Sequence, residues 1–410
     1  MRLRLAQAAE VRLGRQRAPQ YEVGEHLVPY LRSANVVDGS LDLSDVKSMN
    51  FDPAEQAIFG LADGDVLMTE GSGSIETVGT SAVWRADLPG TVCFQNTLLR
   101  LRPRAGVTDG RFLAWWARHA HASGQIAAVS SGANIQHIGS DGLKDLGIRV
   151  PNLEGQRRIA DFLDDRVARI DQLVAARTDQ LSLAYEQRDA EAEAAFSSSP
   201  VIESQWVRLV AACEFFSDGD WIESPYITLE GVRLIQTGNV GVGEYREQGF
   251  RYVSHETFRG LKCTPVHAGD VLISRLASPV ARACRCPELG AAIASVDVTI
   301  ARPQDWVDRD FLVEFLSSPR HLADADELAR GATMQRVSRS QLGSIKIPNP
   351  PSGIQQDIVR RLKGARCDMK RRVQDIQKAI QLMNEYKQSL ITAAVTGQID
   401  VTTAGSGIPG

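Results

Sequence analysis

The sequence predicts an α+β protein with two strand-rich globular blocks, each followed by a long helix. Three observations predict this architecture: a helix-starting stretch that occurs twice, five landmarks that recur in the same order, and two long helical periodicities. The predicted segments are a first block at 1–150, a helix at 151–199, a second block at 200–350, a helix at 351–401 and a flexible tail at 402–410.

Composition places the chain among ordinary soluble proteins. Its 410 residues are enough for two or three domains, and 43 % apolar and 23 % charged residues are usual proportions. No apolar run reaches 18 residues, so we expect neither a membrane span nor a signal peptide. The six cysteines show no CxxC spacing, which favours reduced thiols in a cytoplasmic protein over disulfides or a metal site.

The stretch that starts each helix recurs at a constant offset. Gln156 matches Gln355 and Ile159 matches Ile358, each 199 residues further along the chain. Prolines precede both copies, at Pro151 and within 348–351, where they end a block and favour the start of a helix.

Five landmarks also recur, at offsets of 196 to 205. They begin at residues 11 and 207, 30 and 234, 61 and 266, 109 and 308, and 131 and 330. In the third, Gly-Asp precedes an apolar triplet, which predicts a turn followed by a buried strand. The order of the landmarks indicates an internal duplication.

Apolar residues recur at steps of three and four along both helices, over about 40 residues or roughly 60 Å each. A seam this long and narrow is typical of a coiled coil. The predicted helix-pair interface comprises Leu163, Val167, Ile170, Val174 and Leu181 in the first helix and Leu362, Met369, Ile376, Ile380, Met383 and Leu390 in the second.

The two helices differ in charge. The first has 6 basic and 10 acidic side chains, whereas the second has 9 and 5. Opposite signs would let the helices lie side by side with complementary flanks, although chance is an alternative explanation.

The sequence lacks the catalytic motifs that we sought. GxxxxGK[ST], HExxH and GxSxG do not occur. N-P-P-S at 349–352 is similar to the N/D-P-P-aromatic motif of amino-methyltransferases, but it lacks the aromatic residue and coincides with a helix start. We therefore expect no catalytic residue, no metal and no cofactor on this chain.

Two stretches carry a family resemblance. P-N-L-E-G-Q-R-R-I-A-D-F-L-D begins at Pro151, and N-E-Y-K-Q-S-L-I-T-A-A-V-T-G-Q-I-D-V begins at Asn384. With the two-block layout, they resemble the specificity subunit of type I restriction–modification systems over essentially the whole chain. In two departures, the second helix start lacks the usual acidic residue, and the first helix ends in an Ala/Glu tract instead of A-V-T-G.

The resemblance implies a DNA-binding subunit without catalysis of its own. Each block would be a target-recognition domain that reads one half of a split, asymmetric DNA sequence. The helices would pair antiparallel with pseudo-twofold symmetry, as a spacer and as the docking site for two methyltransferase subunits. Those subunits would bind S-adenosylmethionine, and nuclease or translocase subunits that use ATP and Mg could join them.

Two alternatives remain open. One is a DNA methyltransferase with built-in recognition domains, which would need a cofactor-binding loop and an N/D-P-P-aromatic site. The other is a coiled-coil adaptor without a nucleic-acid role. The adaptor explains the helices but not the similar layout of the two blocks.

Residue type and position suggest which side chains contact DNA. Arg, Asn and Gln read base edges best, and Lys, Arg, Ser and Thr suit phosphates. The candidates in the landmarks are Arg32, Asn35, Thr69, Ser72, Asn134, Gln136, His137, Gln236, Asn239, Ser274, Arg275, Thr333, Gln335 and Arg336. The shared pairs Asn35/Asn239 and Gln136/Gln335 could instead serve the fold, because divergent targets require divergent residues. Near-neutral blocks also predict weak DNA binding by the isolated chain.

Overall fold

The computed structural model describes residues 1–72, 77–132, 136–276, 279–329 and 335–401. The chain forms two compact units: unit 1 is Met1–Arg177 with Lys378–Gly410, and unit 2 is Thr178–Gln377. Both unit boundaries fall inside long helices, Leu153–Phe196 and Ser352–Thr396. Each unit therefore contains one globular block, the start of one long helix and the end of the other.

The block of unit 1 is built from small sheets. The main sheet is antiparallel, with the spatial order Ala9–Leu13, Leu98–Pro103, Val66–Thr69, Ser81–Val83. A second sheet places Leu27–Leu31 between parallel Cys93–Phe94 and antiparallel Lys47–Asn50. The other strands are Arg2–Arg4, Val36–Val37, Ser40–Leu41, Gly71–Ser72, Ser130–Ser131, Gln136–Ile138 and Gly147–Arg149. The short helices are Leu5–Ala8, Pro53–Phe59, Gly110–Ala122, Gln125–Val129 and Ser140–Asp145.

Unit 2 repeats this plan. Its main sheet has the order Cys213–Asp218, Val298–Pro303, Val271–Ser274, Ala283–Arg285. Its second sheet has the order Ile227–Thr228, Tyr252–Val253, Val232–Ile235, Ala292–Ala294, Pro265–Val266, with Val232–Ile235 parallel to Ala292–Ala294. Gln205–Arg208 pairs with Lys346–Asn349. The short helices are Ser199–Ile202, His255–Gly260, Arg309–Leu316, Pro319–Leu328 and Arg339–Ser344. The common strand order confirms the predicted duplication.

The repeated Gly-Asp has a structural cause. Buried Asp65 receives two hydrogen bonds from Arg102, at 2.8 and 2.7 Å, and Asp270 receives two from Arg302, at 2.8 and 3.1 Å. Each aspartate also accepts a hydrogen bond from a backbone amide three residues earlier, which closes the turn. The strands that follow are buried throughout, as predicted.

The long helices run antiparallel where they meet. In unit 1, Lys387 Nζ lies 2.7 Å from Asp171, and the earlier Leu163 shares a core with the later Ile391. In unit 2, Arg372 donates to Gln187 at 3.1 Å, and the later Phe196 shares a core with the earlier Leu362. The predicted fold class, two α+β blocks each followed by a long helix, is confirmed.

The predicted seam residues are buried or half-buried at all eleven positions. Leu163 and Val167, however, also belong to the core of unit 1, together with Ile391 and Ala394 from the second helix. The ends of both helices therefore complete the block core as well as contacting each other.

Charge complementarity between the helices is only part of the arrangement. Lys387 pairs with the first helix, but Lys363 lies 2.7 Å from Asp310 of the block, and Arg366 bonds to Glu314 of the block. The excess positive charge of the second helix thus serves largely to fasten that helix to its own block.

Among the residues that the structure describes, no helix is both long and apolar enough to span a bilayer.

Candidate nucleic-acid interface

In unit 1, segments far apart in sequence meet beside the turn Ser33–Asn35. The Ser33 amide donates to the Thr97 hydroxyl at 3.0 Å, and the Glu70 amide donates to the Thr97 carbonyl at 2.9 Å. The Ile138 amide donates to the Glu70 carbonyl at 2.8 Å. These bonds bring several predicted residues together on what we call surface 1, which comprises Arg32, Glu70, Thr97, Gln136 and His137.

Unit 2 has the same framework beside the turn Thr237–Asn239. The Arg275 amide donates to the Asp297 carbonyl at 2.8 Å, and the Val337 amide donates to the Arg275 carbonyl at 3.0 Å. We call the corresponding set surface 2, which comprises Gln236, Arg275, Asp297, Gln335 and Arg336. The backbone arrangement is therefore shared, whereas most side chains differ.

The shared asparagines hold these turns. The side-chain oxygen of Asn35 accepts from the Arg32 amide at 3.1 Å, and its nitrogen donates to the carbonyls of Asp42 and Asp45. Asn239 makes three corresponding bonds in unit 2. Both side chains are buried, which supports the interpretation that the shared asparagines serve the fold.

Two predicted hydroxyl groups are likewise turned inward. Buried Thr69 donates to the Thr77 carbonyl at 2.7 Å and accepts from the Gly79 amide at 2.9 Å. Buried Ser274 donates to the Leu276 carbonyl at 2.9 Å. In this arrangement both hydroxyls bond to their own loops.

The basic side chains of surface 1 have acidic partners. Arg32 Nη2 lies 2.5 Å from the Asp45 carboxylate, and exposed His137 lies 3.0 Å from Glu70 Oε2. Gln136 is half-buried and bonds to the backbone of its own loop. Both basic side chains of surface 1 therefore have a carboxylate partner, which leaves little excess positive charge.

Asp297 is the centre of surface 2. Arg336 Nη2 lies 2.7 Å from Asp297 Oδ1, and Arg275 Nη2 lies 3.8 Å from the same oxygen. Burial lowers the pKa of Arg275, although nearby Asp218 acts in the opposite direction. Arg275 is buried and donates to the Val296 carbonyl at 2.7 Å, so half-exposed Arg336 is the better placed of the two to meet a ligand.

A cleft of about 580 Å³ opens beside Asp297. Gln236, Gln248, Leu276 and Ser295 contribute to its lining. The cleft thus combines amide groups with a carboxylate, which are donors and acceptors suited to base edges.

Some predicted candidates have little or no structural description. Asn134 and Thr333 lie outside the described residues. Ser72 is described through its backbone, which pairs with Gln136. Gln335 is exposed.

Sequence reasoning missed Glu70, Asp297 and Gln248. Glu70 directly follows the third landmark, so its position was a usable signal. Asp297 and Gln248 belong to no landmark, and hydrogen bonds to their backbone carbonyls help to bring them to the surface.

Paired charges of this kind can read bases while adding little general affinity. Arg matches guanine, Gln matches adenine and a carboxylate accepts from cytosine. The carboxylates beside Arg32 and Arg336 also reduce the positive charge available for phosphate contacts.

Cysteine and metal chemistry add nothing to these surfaces. Cys284 and Cys286 are free and buried, and burial raises the pKa of each thiol to about 12. Across the described ranges, no group of three or more His, Cys, Asp or Glu residues is placed to hold a metal ion.

Comparison with known proteins gives a family match for part of the chain and relatives for the whole fold. Residues 28–183 match the type I restriction modification DNA specificity domain. The type I restriction enzyme MjaX specificity subunit of Methanocaldococcus jannaschii is 24 % identical over 401 residues, covering 92 % of this chain and 88 % of that protein.

Two solved structures share the fold. A chain from a structural study of complex assembly and conformational transition of the type I R-M system gives a TM-score of 0.78 at 18 % identity, covering 97 % of this chain and 98 % of that chain. The HsdS subunit from Thermoanaerobacter tengcongensis gives 0.56 at 17 % identity, with 97 % of each chain covered.

Residues 28–183 therefore carry the specificity domain of type I restriction–modification systems, and the fold of the whole chain agrees with that class. Over most of its length the chain is similar to a specificity subunit of that class, which confirms the resemblance seen in the sequence.

Proposed function

We propose that this chain is the DNA sequence-recognition subunit of a type I restriction–modification complex and reads a bipartite, asymmetric target. The observation that carries the proposal is that units 1 and 2 share a backbone framework. The polar side chains at corresponding positions of this framework differ. Surface 1 holds Arg32, Glu70 and His137 where surface 2 holds Gln236, Arg275 and Arg336. A backbone framework that is kept while its side chains change suits two domains that recognise two different half-site sequences. We call each half-site sequence a word of the target.

In this proposal the blocks at 1–150 and 200–350 are the target-recognition domains, and the helices within 151–199 and 351–401 separate them. Each unit combines the start of one long helix with the end of the other. This repetition supports the docking of two copies of the same methyltransferase subunit.

All chemistry would belong to the partners. Two methyltransferase subunits would bind S-adenosylmethionine, and nuclease or translocase subunits that join them would use ATP and Mg. The chain itself would be non-catalytic, bind no cofactor and act in the cytoplasm on double-stranded DNA.

Methylation mapping of the host genome, with and without the gene for this chain, tests the proposal. We expect a bipartite motif with methylated adenine that disappears on deletion. A methylation pattern that is unchanged by the deletion would contradict the proposal.

A gel shift separates the two alternatives. With the methyltransferase subunits present, a sequence-specific DNA complex that depends on this chain would exclude a purely structural adaptor. Binding of S-adenosylmethionine to the purified chain alone would favour the methyltransferase alternative.

A further inference from the structure

An exposed aromatic side chain lies next to the cleft of unit 2. Phe250 exposes 57 % of its surface, and it directly follows Gln248 and Gly249, which line the cleft. Leaving a phenyl ring in water forgoes the gain from burying its apolar area. Single exposed apolar side chains are common, but this one lies directly beside a polar cleft.

The backbone holds Phe250 in an unfavourable conformation. Its φ is +23°, and the preceding Gly249 has a φ of +75°. Residues with bulky side chains rarely adopt positive φ, and such strain is concentrated at functional sites. The loop thus keeps the ring exposed despite a conformational cost.

A buried cation lies within cation–π distance of the ring. The guanidinium carbon of Arg233 lies 5.1 Å from the Phe250 ring centroid and 5.4 Å from that of Tyr252. Arg233 is buried and donates to the Gln248 carbonyl at 2.8 Å. The Asn239 side chain donates to the same carbonyl, so two side chains hold the loop at the residue two positions before the ring.

The first block lacks this feature. The Asn35 side chain donates to the carbonyls of Asp42 and Asp45, as Asn239 does to those of Arg246 and Gln248. The stretch 45–47 that corresponds to the Phe250 loop is Asp-Val-Lys, without an aromatic residue. The ring is therefore not needed for the shared fold.

We infer that Phe250 is a stacking wedge that inserts against the bases of the DNA word read by unit 2. The inference rests on the proposed function. Apolar side chains inserted at a base step unstack it and kink the duplex, and exposed rings stack on bases of any sequence. Gln236, Gln248 and Arg336 would then read base edges beside the wedge.

A wedge also contributes to specificity without contacting base edges. Pyrimidine–purine steps such as TA and CA are the most easily unstacked. The word read by unit 2 should therefore contain or adjoin such a step, whereas the word read by unit 1 has no such requirement.

The test uses the full chain co-expressed with its methyltransferase subunits and a duplex carrying the motif found by methylation mapping. Phe250→Ala should weaken binding by about 5- to 150-fold, the range for loss of one base-stacking aromatic, and Phe250→Tyr should retain most of the affinity. Leu229→Ala is the matched control, because Leu229 is 93 % exposed in unit 2 but does not line the cleft.

A 2-aminopurine base placed at the pyrimidine–purine step gives a second readout. Its fluorescence should rise when the unaltered complex binds and should not rise with Phe250→Ala. Equal affinity and equal fluorescence for both complexes would overturn the wedge. Loss of methyltransferase association in Phe250→Ala would also overturn it, by assigning the ring to a protein contact. Failure of the unaltered complex to bind the duplex would instead refute the proposed function.

Discussion

The side chain of Gln156 accepts a hydrogen bond from the Asp109 amide at 2.8 Å, and this bond joins the start of the first long helix to the first block. The Gln156 nitrogen also donates to the carbonyls of Val107 and Pro151. Gln355 makes the corresponding three bonds in unit 2, beginning with the Asp308 amide at 2.8 Å. Both glutamines are buried, so the repeated residue is a structural connection between block and helix.

Replacement of this glutamine should destabilise the protein. Gln156→Leu leaves a backbone amide and two carbonyls without their partner, and a buried unsatisfied polar group costs about 1–3 kcal/mol. We expect the free energy of unfolding to fall by roughly 2–3 kcal/mol in urea denaturation. Gln172→Leu, at an exposed position on the same helix, is the control and should change it by less than about 0.5 kcal/mol. Equal effects of the two changes would contradict the assigned role.

The ion pairs between block and helix have opposite polarity in the two units. Arg111 lies 2.8 Å from Asp161 and 3.1 Å from Asp164, whereas Asp310, 199 residues after Arg111, lies 2.7 Å from Lys363. At this position each helix therefore has the charge opposite to that of the block residue it contacts.

Reversing one sign should weaken the attachment. Lys363→Asp faces Asp310 with a like charge, and we expect a loss of about 0.5–1 kcal/mol, because both side chains are partly exposed to solvent. Lys378→Asp, at an exposed position of the same helix, should have a smaller effect. Urea denaturation at low and high salt measures the free energy of unfolding of both variants. The difference between Lys363→Asp and the unaltered protein should shrink at 1 M salt. A difference that is unaffected by salt would argue against an electrostatic origin.

Burial of His321 should make stability depend on pH. Burial lowers the pKa of His321 to about 4, and a backbone bond to Ala281 only partly opposes it. The unfolded chain, with an ordinary pKa near 6.5, binds a proton that the folded chain excludes down to about pH 4. Stability should therefore fall by roughly 2 kcal/mol between pH 7 and pH 5.

The variant His321→Leu should lack this contribution, and its urea midpoint should vary less between pH 7 and pH 5. His255→Leu, at an exposed position in the same unit, is the control and should keep the pH dependence of the unaltered protein. An identical pH dependence in all three proteins would show that other groups cause it.

Arg336 should affect one word of the target. Arg336→Ala removes a guanidinium held 2.7 Å from Asp297, and loss of one base-reading contact costs about 1–3 kcal/mol of discrimination. Methylation mapping should show relaxed preference at one position of the word read by unit 2 and no change in the other word. Arg371→Ala, on an exposed part of the second long helix, should leave both words unchanged. Relaxation of both words would refute a local role.

The isolated chain should bind DNA weakly. Arg32 and Arg336 are each paired with a carboxylate, and the net charge is −4, so little positive charge remains for phosphates. We expect a dissociation constant of roughly 1 µM or weaker at physiological salt by fluorescence anisotropy. Addition of methyltransferase subunits should produce tight, sequence-specific binding. A nanomolar, sequence-specific complex of the chain alone would contradict this prediction.

Sequence alone determined the architecture, because periodicity and repetition are local properties of a chain. Steps of three and four predicted the long helices, and the Gly-Asp landmark predicted buried strands such as Val66–Thr69. The repeat of Gln156 at Gln355 was visible, but its bonds to the backbone were not.

Tertiary structure alone decided which side chains are exposed on surfaces 1 and 2. Asn35 and Asn239 have the residue type of a base reader, yet burial and backbone bonds make them supports of the turn. Asp297 and Phe250 carry no sequence signal, and both gain their significance from neighbours distant in the chain. The sequence gives the chemistry of each side chain. The exposure of a side chain and its bonding partners depend instead on packing between distant segments. The fold was therefore predictable, whereas the composition of surfaces 1 and 2 was not.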